Sequence, residues 1–361
     1  MASLAFTISA NIIMIDQLPV IRIFFLSTLA FLTAIALTPV WAGILYKYKL
    51  GKKIRSSESA PVFAKLHEKK SGTPTMGGVI VWFTVCVFAI LFFIIRQLIS
   101  GGFWHDLNFL TRQQTWLPLA ALGAAALVGL VDDFFNVKGW GPKGGGFQVR
   151  HKLLIYTAIA IVGAFWFYFK LGFSQIHVPF LGNFEISWWY IPLFIFIMVA
   201  TAFSVNEIDG LDGLSGGTLL SAFVAYGAIA FAQQRFELAT LCGVIVGALL
   251  AFLWFNIPPA RFFMGDTGAM SLGVTLGIVA MLTNQALLLP VIGLLFVLEA
   301  LSVIIQIISK KVFKKKVFIS APIHHHLEAI GWPESKIVMR FWVISGVCAV
   351  VGVSVFLIDK T

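Results

Sequence analysis

Trp116-Leu117-Pro118-Leu119-Ala120-Ala121-Leu122-Gly123-Ala124-Ala125-Ala126-Leu127-Val128-Gly129-Leu130-Val131-Asp132-Asp133-Phe134 is apolar from end to end until two adjacent acids close it. A helix needs about 20 apolar residues to cross the hydrocarbon core of a bilayer, so this stretch reads as a membrane span whose last turn carries charge. Nine further runs share its character: 21–46, 76–99, 153–171, 189–204, 214–232, 237–255, 268–283, 286–309 and 338–358. Together they predict an all-α polytopic membrane protein of about ten transmembrane helices, with residues 1–361 forming one membrane domain. Composition agrees. The chain is 59% hydrophobic and 12% charged, whereas a soluble domain is about one quarter charged. Met1 to Pro19 has neither a basic lead nor a small-residue cleavage site, so no signal peptide is read there. Cys86, Cys242 and Cys348 each lie inside an apolar run and read as buried apolar residues without a pairing or metal pattern.

Charge sets the expected orientation. The formal net charge is +10, and a basic balance in a membrane protein serves topology and anionic lipid rather than nucleic acid. Segments 47–70, 138–152, 261 and 310–336 hold 19 of the 26 Lys and Arg residues. With these loops on the cytoplasmic side, both termini lie outside. The outer connection Ile176–Ile186 alternates around Leu181-Gly182-Asn183, the pattern of a small periplasmic β-hairpin.

One consequence follows from the topology alone. Acids at membrane helices are costly and usually functional. Asp132 and Asp133 end the third span, Glu207, Asp209 and Asp212 follow the fifth, Asp266 opens the eighth, and His324, His325 and His326 lie between the ninth and tenth. All of them fall at one face, which predicts a cytoplasmic active site.

Each cluster has two readings. Asp132-Asp133 suits metal coordination or proton abstraction, because adjacent carboxylates repel without a cation nearby; it is otherwise a solvated pair at the membrane boundary. Asn206-Glu207-Ile208-Asp209-Gly210-Leu211-Asp212-Gly213 is a sugar, base or Mg²⁺ site, or a polar turn. In Asn256-Ile257-Pro258-Pro259-Ala260-Arg261-Phe262-Phe263-Met264-Gly265-Asp266-Thr267-Gly268 the acid at a helix start is either an N-cap or a metal ligand beside a phosphate. Three consecutive histidines cannot all face one ion, and no second ligand pair stands at a zinc spacing, so they read as pyrophosphate or sugar contacts rather than structural zinc, or otherwise as a polar amphipathic loop at the headgroups. Lys69-Lys70-Ser71-Gly72-Thr73-Pro74-Thr75-Met76-Gly77-Gly78 puts basic and hydroxyl groups at a helix start, for phosphate binding or for anchoring, without a Walker signature.

These stretches, taken in order along nearly the whole chain, resemble the polyprenyl-phosphate N-acetylhexosamine-1-phosphate transferases. Pro322-Ile323 before the histidines and Gly331-Trp332-Pro333-Glu334 after them are similar to the muramyl branch of that family. The resemblance implies a bacterial inner-membrane enzyme. It would transfer phospho-MurNAc-pentapeptide from UDP-MurNAc-pentapeptide to undecaprenyl phosphate with Mg²⁺, giving lipid I and UMP. It further implies Asp266 as the Mg²⁺ contact and Asp132 or Asp133 as the group that handles the lipid phosphate. Lys70, Thr75, Lys152, Asn206, Asp209, Asp212, Asn256 and Phe263 match positions lining the uridine and sugar site. Phe263 would offer the uracil a stacking face. Gln306, His324, His325 and His326 match positions near the pyrophosphate and sugar, and Glu299 and Gln306 are polar groups in the ninth span consistent with a substrate groove. A homodimer stays open.

The chain departs from the family pattern at Phe203, Glu207-Ile208 and Ala269, and in a longer, Gly-rich loop from Lys138 to Gly146 through which Lys152 is aligned. Two other functions compete. One is transfer from UDP-GlcNAc or a related sugar. The other is a nucleotide-sugar or lipid transporter, whose mark would be charges at the membrane midplane and an inverted repeat; neither is visible.

Overall fold

The structure, a computed structural model, describes residues 2–51, 70, 72–112, 114–141 and 145–360, with side chains from Leu18 onward. Lys52, Lys53, Arg55, Lys65, Lys69 and Lys143 of the basic count, and Ser71, lie outside the described residues. The described helices are α1 (Ala2–Lys47), α2 (Val79–Leu98), α3 (Trp116–Lys138), α4 (Val149–Phe165), α5 (Tyr190–Ile208), α6 (Leu214–Ala232), α7 (Phe236–Asn256), α8 (Gly265–Leu282), the short α9 (Leu289–Ile292), α10 (Leu294–Val312), α11 (Ile323–Ala329) and α12 (Glu334–Lys360). Among the described residues nine of the helices are long and apolar enough to cross a membrane, and a bent pair makes a tenth.

Helix α8 is the axis of the bundle. Every residue from Gly265 to Leu282 is buried, as expected of a helix that is apolar all round. Helices α3, α5, α2 and α6 pack around it. Its closest neighbour is α3. A Cβ on Gly129 would lie 2.5 Å from the Asp266 carbonyl oxygen, so only glycine lets the two backbones meet there. Thr267 Oγ1 then donates to the Ala126 carbonyl at 2.8 Å. This contact sets the acidic end of α3 beside the acid that opens α8.

Two expectations change in detail. Hydropathy reads 286–309 as one span. The chain instead breaks at Gly293, and Ala286–Ile292 and Leu294–Val312 meet at 83°. Hydropathy records which residues are apolar and carries no information on direction; Pro290 in the first turn of α9 and Gly293 at its end are the local signals. Of the cysteines read as buried, Cys242 is buried, whereas Cys86 and Cys348 are half-buried. The departures Phe203 and Ala269 both belong to the packed interior, Phe203 against the core and Ala269 within it.

The expected hairpin forms. Strands β1 (Gln175–Val178) and β2 (Gly182–Glu185) pair antiparallel, His177 opposite Asn183. Its turn grips the end of α12: His177 Nε2 lies 2.5 Å from Asp359 Oδ2, and the Phe180 N–H donates to Asp359 Oδ1 at 2.5 Å. The other end of α12, Glu334, bonds Lys70 and the backbone of Asp212. Helix α12 has 27 residues, so hairpin and acids stand about 40 Å apart on opposite faces.

Candidate active site

Stretches from along most of the chain meet at the end of the bundle opposite the hairpin. Backbone pairing holds the first of them. The Phe263 N–H donates to the Pro74 carbonyl (2.8 Å), and the Gly77 and Gly78 N–H groups donate to the Phe263 and Met264 carbonyls (2.8 Å each). The Pro74–Gly78 segment is thereby laid along the start of α8.

Lys152 occupies the centre. Its Nζ lies 2.5 Å from Asp266 Oδ1, 3.1 Å from Asp132 Oδ2 and 3.4 Å from Asn206 Oδ1. Asn206 Nδ2 donates to Asp266 Oδ1 at 2.5 Å, and the Phe147 N–H donates to Asp132 Oδ1. Helices α3, α4, α5 and α8 each contribute one side chain. Asp132 and Asp266 are buried, and the Lys152 side chain is only 16% exposed. With both acids ionised, two carboxylates around one ammonium leave a net negative charge, which a proton or a further cation can neutralise.

The adjacent acids have different duties. Asp133 Oδ2 accepts the Thr267 N–H of the first turn of α8 (3.0 Å), and Asp133 Oδ1 accepts Thr75 Oγ1 (3.1 Å). The helix-capping role weighed for Asp266 therefore belongs to Asp133, reaching across from another helix, while Asp266 turns toward Lys152 and Asn206. Gly265 makes this arrangement compatible with the chain. Its φ is +74°, and a Cβ there would lie 2.5 Å from Asp133 Oδ2 and 2.6 Å from Thr75 Oγ1.

A second polar group adjoins the first. Lys70 Nζ lies 2.6 Å from Asp212 Oδ1 and 2.5 Å from Glu334 Oε1, and 5.9 Å from the centre of the half-buried Phe263 ring. Asp212 Oδ2 accepts the Ala260 N–H (3.1 Å), and Asp209 Oδ1 accepts Ser215 Oγ (2.6 Å). Buried Asn256 joins two turns: its Oδ1 accepts the Gly213 N–H (2.9 Å) and its Nδ2 donates to the Phe262 carbonyl (2.8 Å). Glu334 carries no role in the sequence reading. Its signal was available: an acid opening a span, directly after Trp332-Pro333.

The histidines form a third group. His324 Nδ1 pairs with Glu299 Oε2 at 2.9 Å, both side chains fully buried. Among the described residues, His324 Nε2 and Glu299 Oε1 have no hydrogen-bond partner. The His324 ring edge reaches Gly210, where a Cβ would collide with Nε2. His325 Nδ1 pairs with Glu328 Oε2 at 2.6 Å. His326 is turned away, accepting the Ile319 N–H at 3.3 Å. Glu299 and Gln306, expected at a groove, are both buried. Gln306 Oε1 accepts the Val317 and Phe318 N–H groups (3.0 Å each), and its Nε2 donates to the Phe318 carbonyl (2.8 Å).

Among the described residues no three His, Cys, Asp or Glu side chains come together as a metal cage. The oxygen donors at the centre still fit Mg²⁺, which takes one or two carboxylates and fills its shell with water and substrate phosphate.

Comparison with known proteins identifies the family. The family model described as glycosyl transferase family 4 matches residues 115–284, which include Asp132, Lys152, Asn206 and Asp266. A signature of phospho-N-acetylmuramoyl-pentapeptide-transferases matches residues 70–80, which include the Pro74–Gly78 segment laid along α8. A phospho-N-acetylmuramoyl-pentapeptide-transferase of Chloroflexus aggregans is 40% identical over 350 residues, covering 93% of this chain and 90% of the relative. One of Bacillus anthracis is 40% identical over 327 residues, covering 90% of this chain and 94% of the relative.

Proposed function

The chain belongs to the phospho-N-acetylmuramoyl-pentapeptide-transferase family, and from that premise we propose how its own residues move phospho-MurNAc-pentapeptide from a UDP carrier to a lipid carrier in peptidoglycan synthesis. The lipid acceptor is undecaprenyl phosphate, and the site faces the cytoplasm of a bacterial inner membrane. The observation that carries this reading is Lys152, held between Asp132 and Asp266 at one end of the bundle.

Two anions must meet in this reaction, a lipid phosphate and a nucleotide pyrophosphate. An oxygen of the lipid phosphate bonds to the sugar-linked phosphorus, the bond from that phosphorus to the bridging oxygen breaks, and UMP leaves with the bridging oxygen. The attacking oxygen's electron pair forms the new bond, the pair of the broken bond leaves on the bridging oxygen of UMP, and no residue of the chain is consumed. Lys152 supplies fixed positive charge where negative charge accumulates. Asp132 orients the lipid phosphate and takes its proton when it arrives protonated. Asp266 and Asn206 hold Lys152 and, with Asp132, are the oxygen donors that would hold Mg²⁺. That ion would neutralise phosphate charge and polarise the phosphorus–oxygen bond.

Asp133 works through others, fixing the first turn of α8 so that Asp266 points to the centre. Asn256 and Glu334 likewise shape the turns that present Lys70 and Phe263. Phe263 offers a ring face to the uracil, with Lys70 at its edge. The histidine group flanks the sugar: Glu299 fixes the tautomer of His324 and leaves Nε2 directed at the Asp209-Gly210 turn.

The test is side-by-side transfer from labelled UDP-MurNAc-pentapeptide and labelled UDP-GlcNAc into undecaprenyl phosphate by the purified chain, with Mg²⁺ and with EDTA. Transfer of the muramyl substrate alone, abolished by EDTA and restored by Mg²⁺, is expected. Equal use of UDP-GlcNAc, or transfer unaffected by EDTA, defeats the reading.

A further inference from the structure

From the last turn of α10 toward the histidine helix runs a basic segment that the chemistry above does not use. Lys310, Lys311, Lys314, Lys315 and Lys316 fall within seven residues, and all five are exposed. Among the described residues none of them is in ion-pair contact with an acid. Exposed apolar side chains are set between them: Val312 (65% exposed), Phe313 (68%) and Val317 (56%).

The segment has a defined shape. Gln306 holds it by three hydrogen bonds to the Val317 and Phe318 backbone. Ser309 Oγ donates to the Lys315 carbonyl at 2.9 Å, and His326 accepts from Ile319. A topology signal needs lysines and no such clamp. Helix α10 also aims it. Leu298, Leu301, Ile305, Ile308 and Val312 repeat at alternate spacings of three and four along one face, and all are exposed. In a bilayer that stripe meets acyl chains. Lys310 and Lys311 precede Val312, the last residue of the stripe, and Lys314, Lys315 and Lys316 follow it, so a bilayer that covers the stripe would bring the lysines to its headgroups.

We propose that the Lys310–Lys316 segment, clamped by Gln306 and Ser309, is a binding platform for anionic phospholipid headgroups, with Phe313 inserted among the upper acyl carbons. Ammonium groups attract phosphodiester charge, and flanking apolar side chains anchor the segment at the interface. The attraction of even one lysine corresponds to roughly fivefold local enrichment of anionic lipid.

The full chain is reconstituted in nanodiscs of phosphatidylcholine and phosphatidylglycerol at four to one. It carries bimane on Phe313→Cys in a background of Cys86→Ala, Cys242→Ala and Cys348→Ala. Brominated phosphatidylglycerol is compared with an equal amount of brominated phosphatidylcholine as quencher. Excess quenching by the anionic lipid is expected at position 313 and none at a control label on Val350→Cys, an exposed position of α12 (67%). The excess disappears when the five lysines become glutamine, while the control label and transferase activity report that the variant is folded. Equal quenching in the parent overturns the proposal, as does an excess that survives the five substitutions. Relief of the excess by one equivalent of undecaprenyl phosphate also overturns it, because the lysines then serve the substrate headgroup.

Discussion

Lys152→Met keeps the length and apolar stem of the side chain and deletes its charge. In the intact site Nζ stands 2.5 Å from one carboxylate and 3.1 Å from another. At an effective dielectric of about 20, each contact is worth roughly 5–7 kcal/mol of attraction before desolvation. Burial cancels much of that, and removing one partner of a buried charge pair costs about 3–5 kcal/mol. Asp132 and Asp266 then face each other with nothing between them. On the reaction, the loss of a fixed charge aimed at a transferring phosphoryl group lowers kcat by about 10²–10³. The assay is the initial rate of labelled sugar entering lipid, with kcat and KM separated, for Lys152→Met, Asp266→Asn and the pair together. Because these groups act as a unit, the double variant should cost little more than the worse single one. A kcat for Lys152→Met close to that of the parent refutes the reasoning, and so does a double variant whose loss is the full product of the two.

Asp133→Asn should act mainly on stability, lowering the melting temperature in detergent through loss of about 1.5–3 kcal/mol of charged hydrogen bonding, whereas Asp132→Asn should act mainly on kcat; the reverse ranking would return Asp133 to the chemistry. Gly265→Ala meets both a left-handed φ, costing about 1–2 kcal/mol, and contact with Asp133 and Thr75, costing about 1–3 kcal/mol. Inactive protein of reduced thermal stability is expected, and normal turnover would show that Asp266 can move without consequence. For sidedness, an impermeant maleimide applied to intact cells should label Leu181→Cys at the hairpin tip and reach Lys315→Cys only after permeabilisation. Labelling of Lys315→Cys in intact cells would contradict the orientation.

Asp132 and Asp266 stood out in the sequence because charge at the end of a membrane helix is costly to keep without use, and the structure brings both against Lys152. The convergence of distant loops followed from the alternation of apolar runs and basic loops, before any contact was known. The division of labour within Asp132-Asp133 was not legible. Adjacent residues on a helix point about 100° apart, and which one meets α8 depends on the close approach at Gly129. Lys152 entered only through resemblance, since nothing in Val149-Arg150-His151-Lys152 separates it from the other basic residues of its loop. Gln306 and Asn256 read as substrate contacts, yet their amides are spent on backbone groups of neighbouring turns. Such partners leave no pattern in sequence, because any residue supplies an N–H or a carbonyl. Glu334 was hidden for a related reason: its partner Lys70 lies 264 positions away.

The most direct test of the central claim, that lipid phosphate attacks without a covalent relay, is the stoichiometry of UMP release. The purified chain is mixed with labelled UDP-MurNAc-pentapeptide and Mg²⁺ in lipid-free detergent, and undecaprenyl phosphate is added afterwards. The account predicts no UMP before the lipid arrives, then UMP and lipid product in equal amounts from the first turnover, with no label on protein. One equivalent of UMP released without lipid, with phospho-sugar retained on the chain and lost in Asp266→Asn, would contradict it.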